Sequence, residues 1–218
     1  MRIGILGSGL MGGKLGTILA RAGHEVVFSY SHDFTKLEKL AREAGENAKA
    51  GTPEEAARGS RAVLLAVHWS RVDDVLEKAG NLTGKTLLSC SLPMSRDDSH
   101  LVIGHTASGA EALAAKAEGA HVVAAFNTVP SEVLFAVFAA RRRKARPDLI
   151  YCGDNKGAKS IAAGLIRDVG FNPLDLGGLE IARYMEPFGL AVAAFAYSGK
   201  NSPAIAYRFE KFRQRGAG

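Results

Sequence analysis

The sequence predicts an α/β fold: a doubly wound parallel sheet with a small C-terminal α/β domain that ends in an apolar helix. Short runs of mainly aliphatic residues alternate with stretches of helical periodicity along most of the chain, which is the pattern of βαβ units. The strand candidates are apolar on both faces, as strands covered by helices on each side must be. A glycine-rich turn directly after the first strand gives the third indication.

In chain order, the strand candidates are Arg2 to Leu6, Glu25 to Tyr30, a weaker one at Asn47 to Ala50, Ala62 to Val67, Thr86 to Ser89 and His121 to Ala125. Between them, Phe34, Leu37, Leu40, Ala41 and Ala44 recur at helical spacing, as do Val72, Val75, Leu76 and Ala79. Thr52 with Glu55 three residues later spells a capping box, the start of a short helix. After Arg146 the alternation resumes with a strand near Leu149 to Cys152 and a helix carrying Ala158, Ile161, Ala162, Leu165, Ile166 and Val169 on one face. An extended segment from Phe171 to Leu176 follows, then a long helix from Gly178 that is apolar on most sides after Pro187. The basic stretch Arg141 to Pro147 marks the expected boundary, giving domains at 1–145 and 146–218.

Of the 218 residues, 47% are hydrophobic and 23% charged, ordinary values for a packed protein, without repeats or low-complexity tracts. The apolar stretch Pro187 to Tyr197 is about half of the roughly 20 residues that a membrane-spanning helix needs, so no membrane partner is expected. Met1 leads directly into a strand-like run without the features of a secretory leader, and the cytoplasm is the expected location. Cys90 and Cys152 make neither a CxxC motif nor a disulfide framework and read as structural thiols. The six histidines show no ligand spacing, and no metal site is expected. The net charge of +6 is concentrated in Arg141, Arg142, Arg143, Lys144 and Arg146 and in a tail cluster of Arg208, Lys211, Arg213 and Arg215. These runs lack interleaved aromatic residues, so they read as solvated surface and no nucleic-acid partner is expected.

Gly7, Gly9 and Gly12 stand in GxGxxG spacing between the first strand and an apolar helix carrying Leu15, Ile18 and Leu19. Gly7 permits the tight turn, Gly9 lets backbone approach a pyrophosphate, and Gly12 lets the helix pack on the strand. The N–H groups of Ser8, Gly9, Leu10 and Met11 would then face the phosphates at a helix N-terminus, where anions are favoured. This is the dinucleotide-binding turn of a Rossmann domain. The second strand ends Ser29, Tyr30, Ser31, His32, without the acidic residue that would bond a ribose 2′-hydroxyl. The hydroxyls, His32 and Lys36 could meet a 2′-phosphate, so NADP is expected over NAD; Asp33 keeps NAD open.

GILGSGLMGGKLG, AVHWSRVDDVL, VVAAFNTVPSEVL, YCGDNKGAK and PLDLGGLEIARYMEP occur in this order along nearly the whole length. In these the chain resembles the coenzyme F420-dependent NADP oxidoreductases, and it is similar also to the cytosolic NADPH-binding domain of the STEAP metalloreductases. The resemblance implies hydride transfer between NADPH and a bound F420, FMN or FAD, or a ferric chelate reduced through one of these. On this view catalysis is mainly placement, with His68 and Asn127 as candidates. It implies cofactor contacts at Val67, His68 and Trp69 after the fourth strand, Leu92 and Pro93 after the fifth, and Asn127, Thr128 and Pro130 after the sixth. Gly177, Leu179 and Arg183 match the segment that completes the second ring's pocket, although Arg183 reads equally as a salt-bridge residue. Tyr30 and Ser31 stand where the F420 enzymes usually have arginines, and Asn127 where they tend to have histidine.

Two other readings stay open: an imine reductase of the pyrroline-carboxylate type, and a non-catalytic NADPH sensor. The expected partners are a small-molecule redox acceptor and a second copy of the chain, paired through the C-terminal domain.

Overall fold

The computed structural model describes residues 1–198 and 203–212. Its strands are β1 (Arg2–Leu6), β2 (Glu25–Ser29), β3 (Ala48–Ala50), β4 (Ala62–Leu65), β5 (Thr86–Ser89), β6 (His121–Ala124), β7 (Asp148–Gly153) and β8 (Asn172–Asp175). They form one sheet in the order β3-β2-β1-β4-β5-β6-β7-β8. The chain winds outward through β2 and β3, then returns to place β4 on the other side of β1. The carboxyl ends of β1 and β4 thus flank a topological switch point, where open α/β sheets bind ligands.

The helices are α1 (Leu10–Arg21), α2 (Phe34–Ala44), α3 (Pro53–Ala57), α4 (Val72–Ala79), α5 (Gly109–Lys116), α6 (Leu134–Ala139), α7 (Lys156–Val169) and α8 (Ala182–Tyr197). One face of the sheet packs against α1, α2, α6 and α7 around Ile5, Leu15, Phe28, Leu134 and Leu165. The other packs against α3, α4, α5 and α8 around Leu65, Val75, Leu87, Leu113 and Met185. The double covering explains why the strands read as continuous apolar runs.

Local chemistry sets the helix starts. The capping box at α3 is present: Thr52 Oγ1 accepts from the Glu55 N–H, and the Glu55 carboxylate accepts from the Thr52 N–H at 2.8 Å. Asp33, Ser108 and Asn155 cap α2, α5 and α7 with their side chains. At α1 the capping position is Gly9, which has no side chain to offer.

One pairing departs from the parallel expectation, because β7 runs antiparallel to β6. The helix between them, α6, has six residues and is about 9 Å long. Gly153 lies opposite Val123 and Cys152 opposite Ala124, so β7 enters from the carboxyl end of β6. The expected 145/146 boundary falls in the loop before β7, and sheet and core run across it: Leu165 and Ile166 of α7 share one cluster with Leu15 and Ile18 of α1. Arg141 lays its guanidinium 4.0 Å from the centre of the Phe138 ring, while Arg142, Arg143 and Lys144 are exposed. Of the tail cluster, Arg213 and Arg215 lie outside the described residues.

Residues 203–212 return over β7, a connection that periodicity gives no sign of. The Asp148 N–H donates to the Tyr207 carbonyl at 2.9 Å and the Phe209 N–H to the Asp148 carboxylate at 2.6 Å. The Tyr207 ring meets Phe188 of α8 edge-on. Among the described residues α8 is covered on one side only: Met185, Gly189 and Ala196 are buried, while Tyr184, Ala191, Ala194 and Phe195 are exposed. Among the described residues no helix is long and apolar enough to cross a membrane.

Candidate cofactor and active site

The glycine turn has the geometry its spacing demands. Gly7 adopts φ +103°, and a Cβ there would stand 2.5 Å from the Ala66 carbonyl oxygen. At Gly12 a Cβ would collide with the Gly7 carbonyl oxygen, so helix and turn touch backbone to backbone. Gly9 differs, since a Cβ there would meet nothing within 4 Å. Fold packing therefore requires Gly7 and Gly12 but not Gly9. What Gly9 leaves bare is the start of α1, whose first N–H groups have no intrahelical acceptor and no side-chain cap. Ser8 is buried and its hydroxyl is turned inward to the Ser29 carbonyl at 3.0 Å, so only its backbone is available to a ligand.

At the tip of β2 the expected residues divide. Ser29 is fully buried and donates its hydroxyl to the Ile5 carbonyl at 2.7 Å; it ties β2 to β1, and the expectation that it meets a cofactor phosphate is corrected. Tyr30 takes φ +60° and its hydroxyl donates to Asp74 at 2.5 Å. Burial, the bond to Asp74 and its charge together push that phenol up to about 12. Lys78 lies 5.5 Å from the Tyr30 ring centre, so the ring is a fixed platform. Ser31, His32 and Lys36 are exposed beside it. Asp33 accepts from both the N–H and the hydroxyl of Thr35, and these bonds hold its carboxyl below the usual range. It is the cap of α2 and is turned to its own helix.

After β4, His68 spans two loops. Nδ1 accepts from the Ser70 N–H and Nε2 lies 3.1 Å from the Ser95 carbonyl oxygen, with Asp98 at 3.3 Å. With Nδ1 as the acceptor, Nε2 carries the proton and donates to Ser95. Both ring nitrogens are thereby engaged by the protein, which makes His68 a brace between the β4 and β5 loops. Val67 and Trp69 are half-buried against the neighbouring core.

Leu10, Met11, Leu92, Asn127 and Pro130 do come together. With Cys90, Val129 and Ser131 they line a crevice of about 280 Å³, closed on the far side by Gly189, Val192, Ala193 and Tyr197 of α8. Pro93 is buried outside its lining, against Gly109. Three of the four α8 residues are small or short, and a Cβ on Gly189 would reach within 2.6 Å of the Asn127 carbonyl oxygen. Sequence reasoning missed these four; the Gly189, Val192, Ala193 spacing along one helix face was the available signal.

Asn127 is buried, and neither its Oδ1 nor its Nδ2 has a hydrogen-bond partner among the described residues. Leaving both ends of an amide unpaired costs about 1–3 kcal/mol for each group, so the arrangement suits a ligand that carries both a donor and an acceptor. Phe126, fully buried at φ +66°, sets the turn that presents it. Thr128 is corrected from cofactor contact to tether: its hydroxyl lies 2.8 Å from the Tyr207 hydroxyl, which also accepts from the Ile150 N–H.

Arg183 forms a two-pronged bond with Glu111 of α5, the salt-bridge alternative. Leu179 is buried and its N–H donates to Asp154, while Gly177, at φ +110°, donates to Asp175; none of the three lines the crevice. Cys90 and Cys152 are buried and free, and burial pushes both thiols up to about 12, the condition of structural cysteines.

Comparison with known proteins agrees with the motifs. Residues 2–93 match the family model described as NADP oxidoreductase, coenzyme F420-dependent. The chain is 30% identical over 189 residues to the metalloreductase STEAP3 of Rattus norvegicus, an alignment covering 87% of this chain and 36% of that protein. The chain thus spans about a third of the length of that relative. Among solved structures, a candidate F420-dependent NADP reductase from Arthrobacter sp. FB24 superposes with a TM-score of 0.84 at 22% identity, over 97% of this chain and 100% of that one. A reductive aminase from Aspergillus terreus, in complex with NADPH and ethyl-5-oxohexanoate, gives 0.66 at 21% identity, over 90% and 61%. These two likenesses show the shared fold. The chain therefore resembles the coenzyme F420-dependent NADP oxidoreductases through the part that carries the glycine turn, and a STEAP metalloreductase over most of its length.

Proposed function

We propose that this chain is an NADP(H)-dependent oxidoreductase that passes a hydride between NADPH and a flavin or deazaflavin acceptor held in the crevice under α8. The unpartnered amide of Asn127 carries the reading. Its buried donor and acceptor match the carboxamide of a nicotinamide, and it lies in the same crevice as Leu10 and Met11 at the start of α1. The diphosphate rests on the bare N-terminus of α1 at Gly9, where no side chain intervenes. Ser31, His32 and Lys36 take the 2′-phosphate, with Asp33 withdrawn as a helix cap.

NADPH, when bound, would supply the hydride, and the acceptor ring would take up that hydride together with one proton from solvent. The protein's part is placement and water exclusion. Asn127 orients the carboxamide, Leu92 and Pro130 wall the ring, and the short side chains of α8 leave a flat slot for a second ring. The exposed face of α8, with Tyr184 and Phe195, pairs two copies of the chain; a monomeric mass at micromolar concentration counts against this.

The test is a spectroscopic screen of NADPH and NADH oxidation against F420, FMN, FAD, ferric chelate and a cyclic imine. NADPH turnover with a flavin or deazaflavin is expected. Turnover with the imine alone assigns an imine reductase, and tight NADPH binding without turnover assigns a sensor. Asn127→Leu separates the site from the fold: it is expected to lower kcat/KM by about tenfold or more while leaving the cofactor-free protein as stable as before or more so, since two unpaired polar groups leave the interior. Unchanged turnover in that variant overturns the role of Asn127.

A further inference from the structure

A second concavity adjoins the crevice. It is a groove of about 450 Å³ running along α1 between α2 and α6. Leu10, Leu40 and Phe135 give it apolar walls; beyond Gly9 and Lys36, which the reading above gives to NADPH, Lys14 and Arg21 supply two cations against one acid, Glu43. The fold gives Arg21 little to do: it donates to the Glu43 carbonyl at 3.1 Å and stands 5.8 Å from the Phe135 ring centre.

The groove is continuous with the crevice. Leu10 lines both, and the Lys14 ammonium in the groove donates to the hydroxyl of Ser131 in the crevice at 3.1 Å. The acid on that side, Glu132, accepts from the Tyr197 hydroxyl at 2.8 Å and from Ser131. A ring in the crevice would therefore send its side chain past Leu10 onto α1. Lys14 lies one turn further along that helix, about 6 Å in rise.

We propose that this groove is the subsite for the phosphate-bearing side chain of the acceptor, with Lys14 at the phosphate and Arg21 further along for longer anionic tails. The proposal rests on the reading of the crevice as the acceptor site. Its physical basis is charge complementarity: a phosphate ester brings negative charge to a partly apolar groove where cations outnumber acids, and a charge-assisted bond there is stronger than one between neutral groups. The chemistry recognised is a phosphate ester, which both the acceptor side chain and the 2′-phosphate of NADP carry. The test separates these sources.

Equilibrium binding is measured with two ligand pairs that differ in the phosphate-bearing side chain, FMN against riboflavin and F420 against its phosphate-free deazaflavin core, alongside NADPH. In the wild-type protein the phosphate-bearing member of at least one pair is expected to bind about tenfold or more tightly than its counterpart. Lys14→Met is expected to erase that difference, leaving the phosphate-free ligand and NADPH unchanged, and Lys14→Arg to restore it. Circular dichroism checks that each variant is folded. No phosphate preference in either pair overturns the proposal, as does a preference that survives in Lys14→Met. Loss of NADPH affinity in that variant, with flavin binding intact, reassigns Lys14 to the nucleotide and also overturns it. Because binding is read without turnover, a phosphate preference in a protein that oxidises no NADPH would sink the proposed activity and leave the subsite standing.

Discussion

Gly189 of α8 lies against Asn127 so closely that a single added carbon would stand 2.6 Å from the Asn127 carbonyl oxygen and 3.3 Å from Leu92 Cδ2. This contact joins the late helix to the loop after β6 and sets the width of the crevice. Gly189→Ala is expected to force α8 outward, at an overpacking cost of about 1–3 kcal/mol. Thermal unfolding should show a lower midpoint and acceptor turnover should fall. An unchanged midpoint would mean that the two elements are not in backbone contact.

Directly before Pro187, α8 carries a carboxylate into the interior. Glu186 is buried and accepts from the N–H groups of Gly109 and Ala110 at 2.8 and 2.9 Å, capping α5. Burial outweighs these two bonds and pushes the Glu186 carboxyl up from 4.5 to about 7. Between these values the folded protein holds a proton that the unfolded chain has released. This contribution is therefore fully present below about 4.5 and is lost as pH rises through about 7, with an upper bound of about 3 kcal/mol. Thermal midpoints should fall between about pH 5 and about pH 8, and Glu186→Gln should flatten that slope. A slope that persists unchanged in the variant assigns the dependence to another group.

Tyr207 joins the returning tail to the loop that carries Asn127, through Thr128 and the Ile150 N–H. Tyr207→Phe leaves both partners without their bond and is expected to cost about 1–3 kcal/mol. In a double-mutant cycle with Thr128→Val the two losses should not add, because they share one interaction. Strict additivity in denaturant unfolding would remove the tether.

The parts of this fold that were legible in the sequence are those with strong local signals. β1, α1 and β2 announce themselves through aliphatic runs and three glycines, and α3 through Thr52 and Glu55. α5 gave little sign because GAEALAAK is mostly small residues without a marked apolar stripe, and α6 because it is six residues long. The antiparallel entry of β7 has no local signal, because the run Leu149 to Cys152 reads the same for either strand direction. In the site, the glycine turn found Leu10 and Met11 and the family resemblance implied Leu92, Asn127 and Pro130, but neither tells where side chains point. Ser29 and Thr128 are hydroxyls in suitable places whose bonds are already taken by Ile5 and Tyr207. The α8 wall comes from far along the chain after Asn127, a pairing that no local pattern encodes.

NADPH titration calorimetry on wild type and Gly9→Ala tests most directly whether the bare backbone at Gly9 holds a dinucleotide diphosphate. A methyl group at Gly9 meets nothing in the protein within 4 Å, so the variant should unfold at the wild-type temperature. Its NADPH affinity should nevertheless fall by about tenfold or more, about 1.4 kcal/mol, because the methyl group occupies the approach to the diphosphate. Equal NADPH affinity in the two proteins, or no NADPH binding by either, would contradict a diphosphate site at this turn.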